Sequence, residues 1–229
     1  MPHYSSHFRD LLIAICLFLV GYPLLVGEGL VGKSLEAFFG LAILRAGLMA
    51  SPGFNRNPPF FVKFLIVVLI GCWLGEIIDA ENSVYEISRK LLLMFFFIRF
   101  ITIVGRDVFI TQRIDVTNRL YGAICIYLLL ATTFADLFMI QAYALPHAFN
   151  CSTALCDQSA DIFHDGTHLY FSLITLATVG YGDITPTHPL TAITTAIEAV
   201  IGQMYIGIVI ARLVGLHLLE AENGTKKKN

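Results

Sequence analysis

Charged side chains are scarce in this sequence of 229 residues, of which only 14% are Asp, Glu, Lys or Arg. Soluble globular domains carry about 25% charged residues. Hydrophobic residues make up 56% of the chain, and its mean hydropathy is +0.73. An ordinary soluble domain is therefore excluded, because so much apolar surface must be covered by lipid.

Signatures of catalysis and of nucleic-acid binding are also missing. The sequence has no pair of residues spaced for acid-base or nucleophilic catalysis, no metal-ligand spacing, no phosphate-binding loop and no nucleic-acid motif. We therefore expect that the protein is not an enzyme, that it has no cofactor and that it has no nucleic-acid partner.

Long apolar stretches are abundant instead. A helix needs ~20 apolar residues to cross a bilayer, and six stretches approach that length. They cover residues 10–31, 33–50, 60–80, 85–104, 117–143 and 189–218. The pattern predicts an all-α integral membrane protein with six transmembrane helices.

A glycine-containing motif lies between the last two apolar stretches, where residues 178–182 read Thr-Val-Gly-Tyr-Gly. Selecting a dehydrated cation requires successive backbone carbonyls that point at one axis and replace the water shell of the ion. Gly180 and Gly182 can adopt backbone conformations closed to residues with a Cβ, which lets consecutive carbonyls turn to the same side. Thr178 adds a hydroxyl group at the inner end of this row.

The run from Thr178 to Asp183 resembles the signature of the tetrameric potassium channels, and its surroundings resemble their pore domain. The resemblance implies a re-entrant pore helix and a filter that binds K⁺ at Thr178, Val179, Gly180, Tyr181 and Gly182. K⁺ is then the permeant ion and the only metal expected. Asp183 would lie at the outer mouth, where it attracts ions or forms hydrogen bonds behind the filter. A glycine-rich turn in another membrane protein is the alternative.

A short helix is predicted just before the filter. Asp165 begins a helix-start pattern, and the residues from Thr167 to Ala177 predict a helix of about 15 Å, too short to span a bilayer. It would re-enter the membrane from outside, surrounded by protein. The negative end of its dipole would then favour a cation. Tyr170 and Phe171 are predicted to form an aromatic cuff that supports the filter.

The last apolar stretch predicts an inner helix from about Pro189 to Leu218, because proline suits a first helical turn. Gly202 lies where the family commonly has a hinge glycine, and a mid-helix glycine loosens a helix by about 1 kcal/mol relative to alanine. Close packing of a small residue is the alternative. In relatives, the stripe that follows lines the cavity and the inner gate. Its members are Gln203, Ile206, Gly207, Ile210 and Val214.

Glu198 precedes Gly202 by one turn, at a depth where a carboxylate must be paired, hydrogen-bonded or wet. If it faced the cavity, it would concentrate cations. If it faced away, it would accept hydrogen bonds from the pore helix of a neighbouring subunit and so support the pore. The resemblance of residues 198–206 to prokaryotic pore domains favours the second orientation.

Six spans with the pore last resemble the voltage-gated channel architecture. The corresponding units are a four-helix sensor-like domain at 1–104, a linker at 105–116, a pore domain at 117–218 and a short cytoplasmic tail at 219–229. A working sensor helix repeats Arg or Lys along one face, whereas Leu93 and Phe96 occupy two such positions between Lys90 and Arg99. We therefore expect weak or no voltage sensing, with true voltage gating as the alternative. Arg89 and Lys90 would pair with acidic residues of the preceding spans, namely Glu36, Glu76 and Asp79.

Basic residues indicate the orientation in the membrane, because cytoplasmic loops carry an excess of Lys and Arg. The residues that fall on one side are Arg9, Arg56, Lys63, Arg106, Arg113, Arg119, Lys226, Lys227 and Lys228. We expect a multi-pass protein of the plasma membrane with both termini in the cytoplasm. Residues 141–188 contain no Lys or Arg, and an outer mouth free of fixed positive charge concentrates cations.

The cysteines fall into two groups. Cys16, Cys72 and Cys125 lie in apolar stretches, where a thiol packs as a small hydrophobic group. Cys151 and Cys156 flank four residues of the outer loop. A disulfide between them is one expectation, since that loop faces an oxidising compartment. Two free thiols are the other, because spacing alone does not fix disulfide geometry.

A single filter strand cannot surround an ion, and the chain contains one copy of the motif. The resemblance therefore implies a homotetramer with cyclic symmetry in the lipid bilayer. We expect passive, K⁺-selective conduction. A non-conducting or regulatory subunit that needs a partner chain is the competing class. A potassium transporter with filter-like loops would need four repeats in one chain, which this sequence does not contain.

Overall fold

The computed structural model describes residues 7–25, 71, 83–110, 116–151 and 166–226. The predicted spans 33–50 and 60–80 lie outside the described residues, apart from Gly71, and so do linker residues 111–115 and loop residues 152–165. In chain order the described elements are α1 (His7–Leu25), α2 (Ser83–Phe109), α3 (Val116–Ala144), β1 (Phe149–Cys151), α4 (Thr167–Leu176), β2 (Ile184–Pro186) and α5 (Pro189–Lys226).

Two of the described helices are long and apolar enough to cross a membrane. They are Thr117–Ala144 of α3, with a mean hydropathy of 2.1, and Pro189–Arg212 of α5, with a mean hydropathy of 1.7. Between them, α4 is apolar but has only 10 residues. This arrangement fits an all-α membrane protein, while the count of six spans remains a prediction.

Helices α2 and α5 extend beyond the predicted spans. Helix α2 continues to Phe109, into the segment predicted as a linker. It continues because Val104 and Val108 are both buried, so the packed face of the helix does not end at 104. Helix α5 continues to Lys226, and no proline after Pro189 interrupts it.

The main core lies where α1 and α2 pack against α3. Its buried side chains are Phe8, Leu11 and Ile15 of α1, Phe96, Phe97, Phe100, Val104 and Val108 of α2, and Ala123, Cys125, Ile126 and Leu129 of α3. Gly122 permits this approach, since a Cβ added there would come within 2.5 Å of Val108 Cγ2 and 3.5 Å of the Phe8 ring. Close packing at small residues is the main attraction between helices in lipid, where apolar burial contributes little.

A buried ion pair also joins α2 to α3. Lys90 Nζ lies 3.4 Å from Asp136 Oδ1, and the two side chains are 4% and 9% exposed. The acidic residues predicted to partner Lys90 lie outside the described residues, and Asp136 was not among them. The pair links α2 directly to α3, the first helix of the predicted pore domain.

Replacing Asp136 by asparagine is expected to destabilise the protein by about 3–5 kcal/mol, because it removes the carboxylate from a buried lysine. Thermal unfolding of the purified protein in detergent measures the effect. A double variant, Lys90→Met with Asp136→Leu, removes both charges and should recover most of the loss. Asp10→Asn is the control, since Arg9 and Asp10 form an exposed pair. Equal stability of the Asp136 and Asp10 variants would show that the buried pair contributes nothing.

The carboxyl end of α3 is fixed by aromatic packing and a small sheet. The rings of Phe138 and Phe171 are 5.0 Å apart, and Phe149 packs edge-on against both. Strands β1 and β2 are antiparallel, with Cys151 paired to Ile184 in the register. The chain that follows residue 182 is thereby tied to the end of α3.

Candidate functional site

The loop from Ala177 to Gly182 begins at the carboxyl end of α4 and folds back on it. The Thr178 amide donates to the Thr175 carbonyl at 2.9 Å, and the Val179 amide donates to the Ile174 carbonyl at 2.8 Å. The Gly180 amide donates to the same Ile174 carbonyl at 3.2 Å. The amides in the first part of the loop therefore donate to carbonyls of α4. The orientation of the loop follows that of the helix for this reason.

Backbone angles in this loop alternate in sign. Thr178, Gly180 and Gly182 have φ values of 57°, 54° and 79°, whereas Val179 and Tyr181 do not have positive φ. The left-handed conformations expected of both glycines are present. Thr178 adopts one as well, at a cost of roughly 1–2 kcal/mol for a residue with a Cβ. Alternation of this kind is what allows consecutive carbonyls of an extended chain to face one side.

One side of the loop is exposed. Val179 is 51% exposed and Tyr181 is 71% exposed. A Cβ added at Gly180 or Gly182 would meet no atom within 4 Å. Since no other part of the described chain covers these residues, their polar backbone is available to an ion or to further chains.

Asp183 is held against α4. The Tyr170 hydroxyl donates to Asp183 Oδ2 at 2.6 Å, and the Ile184 amide donates to Asp183 Oδ1 at 3.0 Å. The hydrogen bond to this carboxylate raises the pKa of Tyr170 to about 12, so the phenol keeps its proton at neutral pH. Of the two predicted roles for Asp183, the structure contains the hydrogen bond behind the loop.

Tyr170 and Phe171 pack in the same hydrophobic cluster but make different contacts. Successive residues of a helix point in different directions, and here Phe171 is buried in the cluster with Phe138 and Phe149. Tyr170 packs against that cluster, and its hydroxyl donates to Asp183, the residue that follows the loop. The aromatic cuff around the filter stays a prediction.

Glu198 of α5 is fully buried and contacts α4. Its Oε1 lies 2.5 Å from the Ser172 hydroxyl oxygen, which lies 2.7 Å from the Ala131 carbonyl of α3. The residue faces away from the exposed side of α5, in agreement with the favoured orientation. The expected partner was wrong in one respect, because the pore-helix hydroxyl belongs to the same chain and not to a neighbour.

Gly202 lies against the end of α4. A Cβ added there would overlap the Leu176 carbonyl oxygen and come within 3.0 Å of Leu176 Cδ1. Gly202 is thus placed for close packing, the alternative to the predicted hinge. Its part in bending stays a prediction.

The predicted cavity stripe is exposed, and the opposite side of α5 is anchored. Gln203, Ile206, Gly207, Ile210 and Val214 are all exposed in the single chain. Tyr205, by contrast, donates to the Ala123 carbonyl of α3 at 2.7 Å. Arg212 donates to the Phe109 carbonyl at the end of α2 and stacks over the Phe109 ring, 5.4 Å from its centroid.

Cys151 is disulfide-bonded, and Cys16 and Cys125 are free. The partner of Cys151 lies outside the described residues, so its predicted pairing with Cys156 stays a prediction. The bonded cysteine sits opposite Ile184 in the sheet. The sheet therefore ties this disulfide to the strand that follows Asp183.

A comparison with known families matches residues 123–216 to a family described as Ion channel. The match indicates an ion channel domain. It begins within α3 and ends within α5, so it includes α4 and the loop of residues 178–182. A comparison with curated proteins finds no match for the chain. An ion channel domain with apolar helices belongs in a membrane and provides a path for ions.

Three contacts of the channel domain were not predicted from the sequence. They involve Ser172, Asp136 and Arg212. Ser172 resembles any small helical residue in the sequence, and only its neighbours reveal its role. Asp136 and Arg212 carried a usable signal, since a charge inside an apolar stretch requires a partner.

Proposed function

We propose that the channel is selective for K⁺ and that Thr178, Val179, Gly180, Tyr181 and Gly182 form its filter. The alternating backbone of this loop carries the proposal. Positive φ at Thr178, Gly180 and Gly182 supports a row of carbonyl oxygens on one side, and such a row can replace the water around a dehydrated K⁺. Asp183 and Tyr170 support the outer end of the row.

We also propose that four identical chains form the pore. One chain supplies one row of oxygens, and a closed ring of such rows requires cyclic symmetry. The exposure of α5 supports association. Within one chain, 56% of the apolar stretch of α3 is buried, but only 11% of the apolar stretch of α5 is buried. Helix α5 is therefore the natural lining and contact surface between copies. In this arrangement Ile210 and Val214 form the inner gate. The protein would cross the plasma membrane six times, with both termini in the cytoplasm.

Voltage dependence is proposed to be weak or absent. A sensing charge must move across the membrane field, whereas Lys90 is buried in an ion pair with Asp136 of α3. The arrangement favours a static scaffold over a moving sensor. Voltage gating is the alternative, and steep voltage dependence that disappears on neutralising Arg89, Lys90 and Arg99 would establish it.

Reconstitution of the purified chain alone into liposomes tests the proposed function. We expect K⁺ flux with Na⁺ excluded, because carbonyl rings that fit a dehydrated K⁺ select against Na⁺. Empty liposomes and liposomes holding the Gly180→Ala variant are the controls. Absence of flux until a second type of chain is added would favour a regulatory subunit instead.

A further inference from the structure

The hydroxyl of Ser172 lies between two oxygen atoms. Its Oγ is 2.7 Å from the Ala131 carbonyl oxygen and 2.5 Å from Glu198 Oε1. Both separations fall in the range of about 2.5–3.0 Å for O–H···O hydrogen bonds. A hydroxyl group carries one proton, and a backbone carbonyl can only accept. Two such contacts require two protons, of which Ser172 supplies one.

We propose that Glu198 supplies the second, as a neutral carboxylic acid that donates from Oε1 to Ser172 Oγ. Ser172 then donates its own proton to the Ala131 carbonyl. If Glu198 were ionised, Ser172 would have to donate to it. The Ser172 and Ala131 oxygens would then face each other at 2.7 Å with no proton between them, which is repulsive. A neutral Glu198 satisfies both contacts. Consecutive hydrogen bonds then connect α5 to α4 and α4 to α3.

The surroundings of Glu198 agree with a neutral group. Glu198 and Ser172 are both 0% exposed, and Glu198 Oε2 is buried without a hydrogen-bond partner among the described residues. Within the same part of the chain, Glu198 forms no ion pair with Lys, Arg or His. An uncompensated buried charge costs far more than a buried neutral acid. Since Oε2 is already enclosed by one chain, a second copy cannot reach it.

The proton makes Glu198 a positioning residue for the filter, a consequence that rests on the proposed function. Ser172 lies in α4, whose carboxyl end leads directly into residues 178–182. The hydrogen-bond chain fixes α4 against both of its neighbouring helices. This role requires a hydrogen-bond donor at position 198 and not a negative charge. A glutamine side chain, whose amide also donates, should therefore fulfil the same role.

Infrared difference spectroscopy of the purified full chain tests the protonation directly. At neutral pH we expect the wild type to show a carboxylic-acid C=O band that is lost in Glu198→Gln. Asp10→Asn, which changes an exposed carboxyl group, should affect only the carboxylate region. Loss of a carboxylate band in Glu198→Gln, with no change in the acid region, would overturn the proposal. This readout needs no ion flux, so it is independent of the proposed function.

Flux measurements test the positioning role. In liposomes, Glu198→Leu should lower the K⁺/Na⁺ permeability ratio on the order of tenfold, as expected for loss of a buried hydrogen bond, and Glu198→Gln should restore it. If the leucine variant does not fold, Ser172→Ala removes the middle of the chain with a smaller change. In Ser172→Ala, the carboxylic-acid C=O band of Glu198 should shift to higher frequency, because Glu198 has lost Ser172 Oγ as its hydrogen-bond acceptor. An unshifted band in Ser172→Ala, or a glutamine variant as defective as the leucine one, contradicts the proposal.

Discussion

Replacing Gly180 by alanine is expected to abolish selective K⁺ flux through the reconstituted protein. Gly180 has a φ of 54°, and a Cβ in that conformation costs roughly 1–2 kcal/mol per residue. Four copies of the filter strand would bear this cost together, about 4–8 kcal/mol per tetramer. Since each 1.4 kcal/mol corresponds to a factor of ten, the conducting state should lose about three to six orders of magnitude in population. The K⁺ uptake rate of liposomes measures the loss.

A matched variant separates backbone strain from the general effect of adding a methyl group. Gly105 of α2 is helical, and a Cβ there would meet only Ile126 and Phe109, each at 4.0 Å. Gly105→Ala should therefore leave K⁺ flux close to that of the wild type. If Gly180→Ala conducts as well as Gly105→Ala, the left-handed backbone at Gly180 is not needed for conduction.

Replacing Gly202 by alanine is expected to destabilise the assembled pore. The added Cβ would overlap the backbone carbonyl oxygen of Leu176, and a backbone atom cannot move aside as a flexible side chain can. Overpacking of this kind costs about 1–3 kcal/mol per site, which over four chains amounts to about 4–12 kcal/mol. The fraction of tetramer that survives stepwise heating in detergent, measured by size-exclusion chromatography, reports the effect.

Gly207 provides the comparison in the same helix. A Cβ there would meet no atom within 4 Å, and alanine stabilises a helix interior by about 1 kcal/mol relative to glycine. Gly207→Ala should therefore keep or raise the stability of the tetramer. If Gly202 acted only as a hinge, Gly202→Ala would be as stable as Gly207→Ala and would change only channel opening.

The backbone of residues 178–182 could be predicted largely from the sequence because its chemistry is local. Glycines at alternate positions indicate left-handed backbone whatever surrounds them, and a ten-residue apolar helix is too short to span. Left-handed φ at Thr178 could not be predicted in the same way. Threonine avoids that conformation, and the two amides that follow it donate to the Ile174 carbonyl, a contact that the sequence does not indicate.

Contacts between helices were harder to predict, because they depend on rotation about each helix axis. The sequence indicated that Glu198 needs a partner but did not identify Ser172, 26 residues earlier in the chain. Gly202 shows the same limit. A glycine in the middle of a helix suits both bending and close packing, and the Leu176 carbonyl that meets it comes from a different helix.

Arg212 illustrates a signal that periodicity alone misses. It lies on α5 between Ile210 and Val214, and it donates to the Phe109 carbonyl at the end of α2. A cation at the carboxyl end of a helix is stabilised by the helix dipole. The end of α2 is thereby attached to the part of α5 proposed as the inner gate.

The central claim is that main-chain oxygens of four chains take the place of water around a dehydrated K⁺. Anomalous X-ray scattering from crystals of the assembled protein grown in Rb⁺, a heavier stand-in for K⁺, tests it most directly. We expect Rb⁺ peaks on a fourfold axis, each ringed by carbonyl oxygens of residues between Thr178 and Tyr181. Crystals of an assembly that lacks such an axis, or whose axis holds no Rb⁺ beside Val179 and Tyr181, would contradict the account.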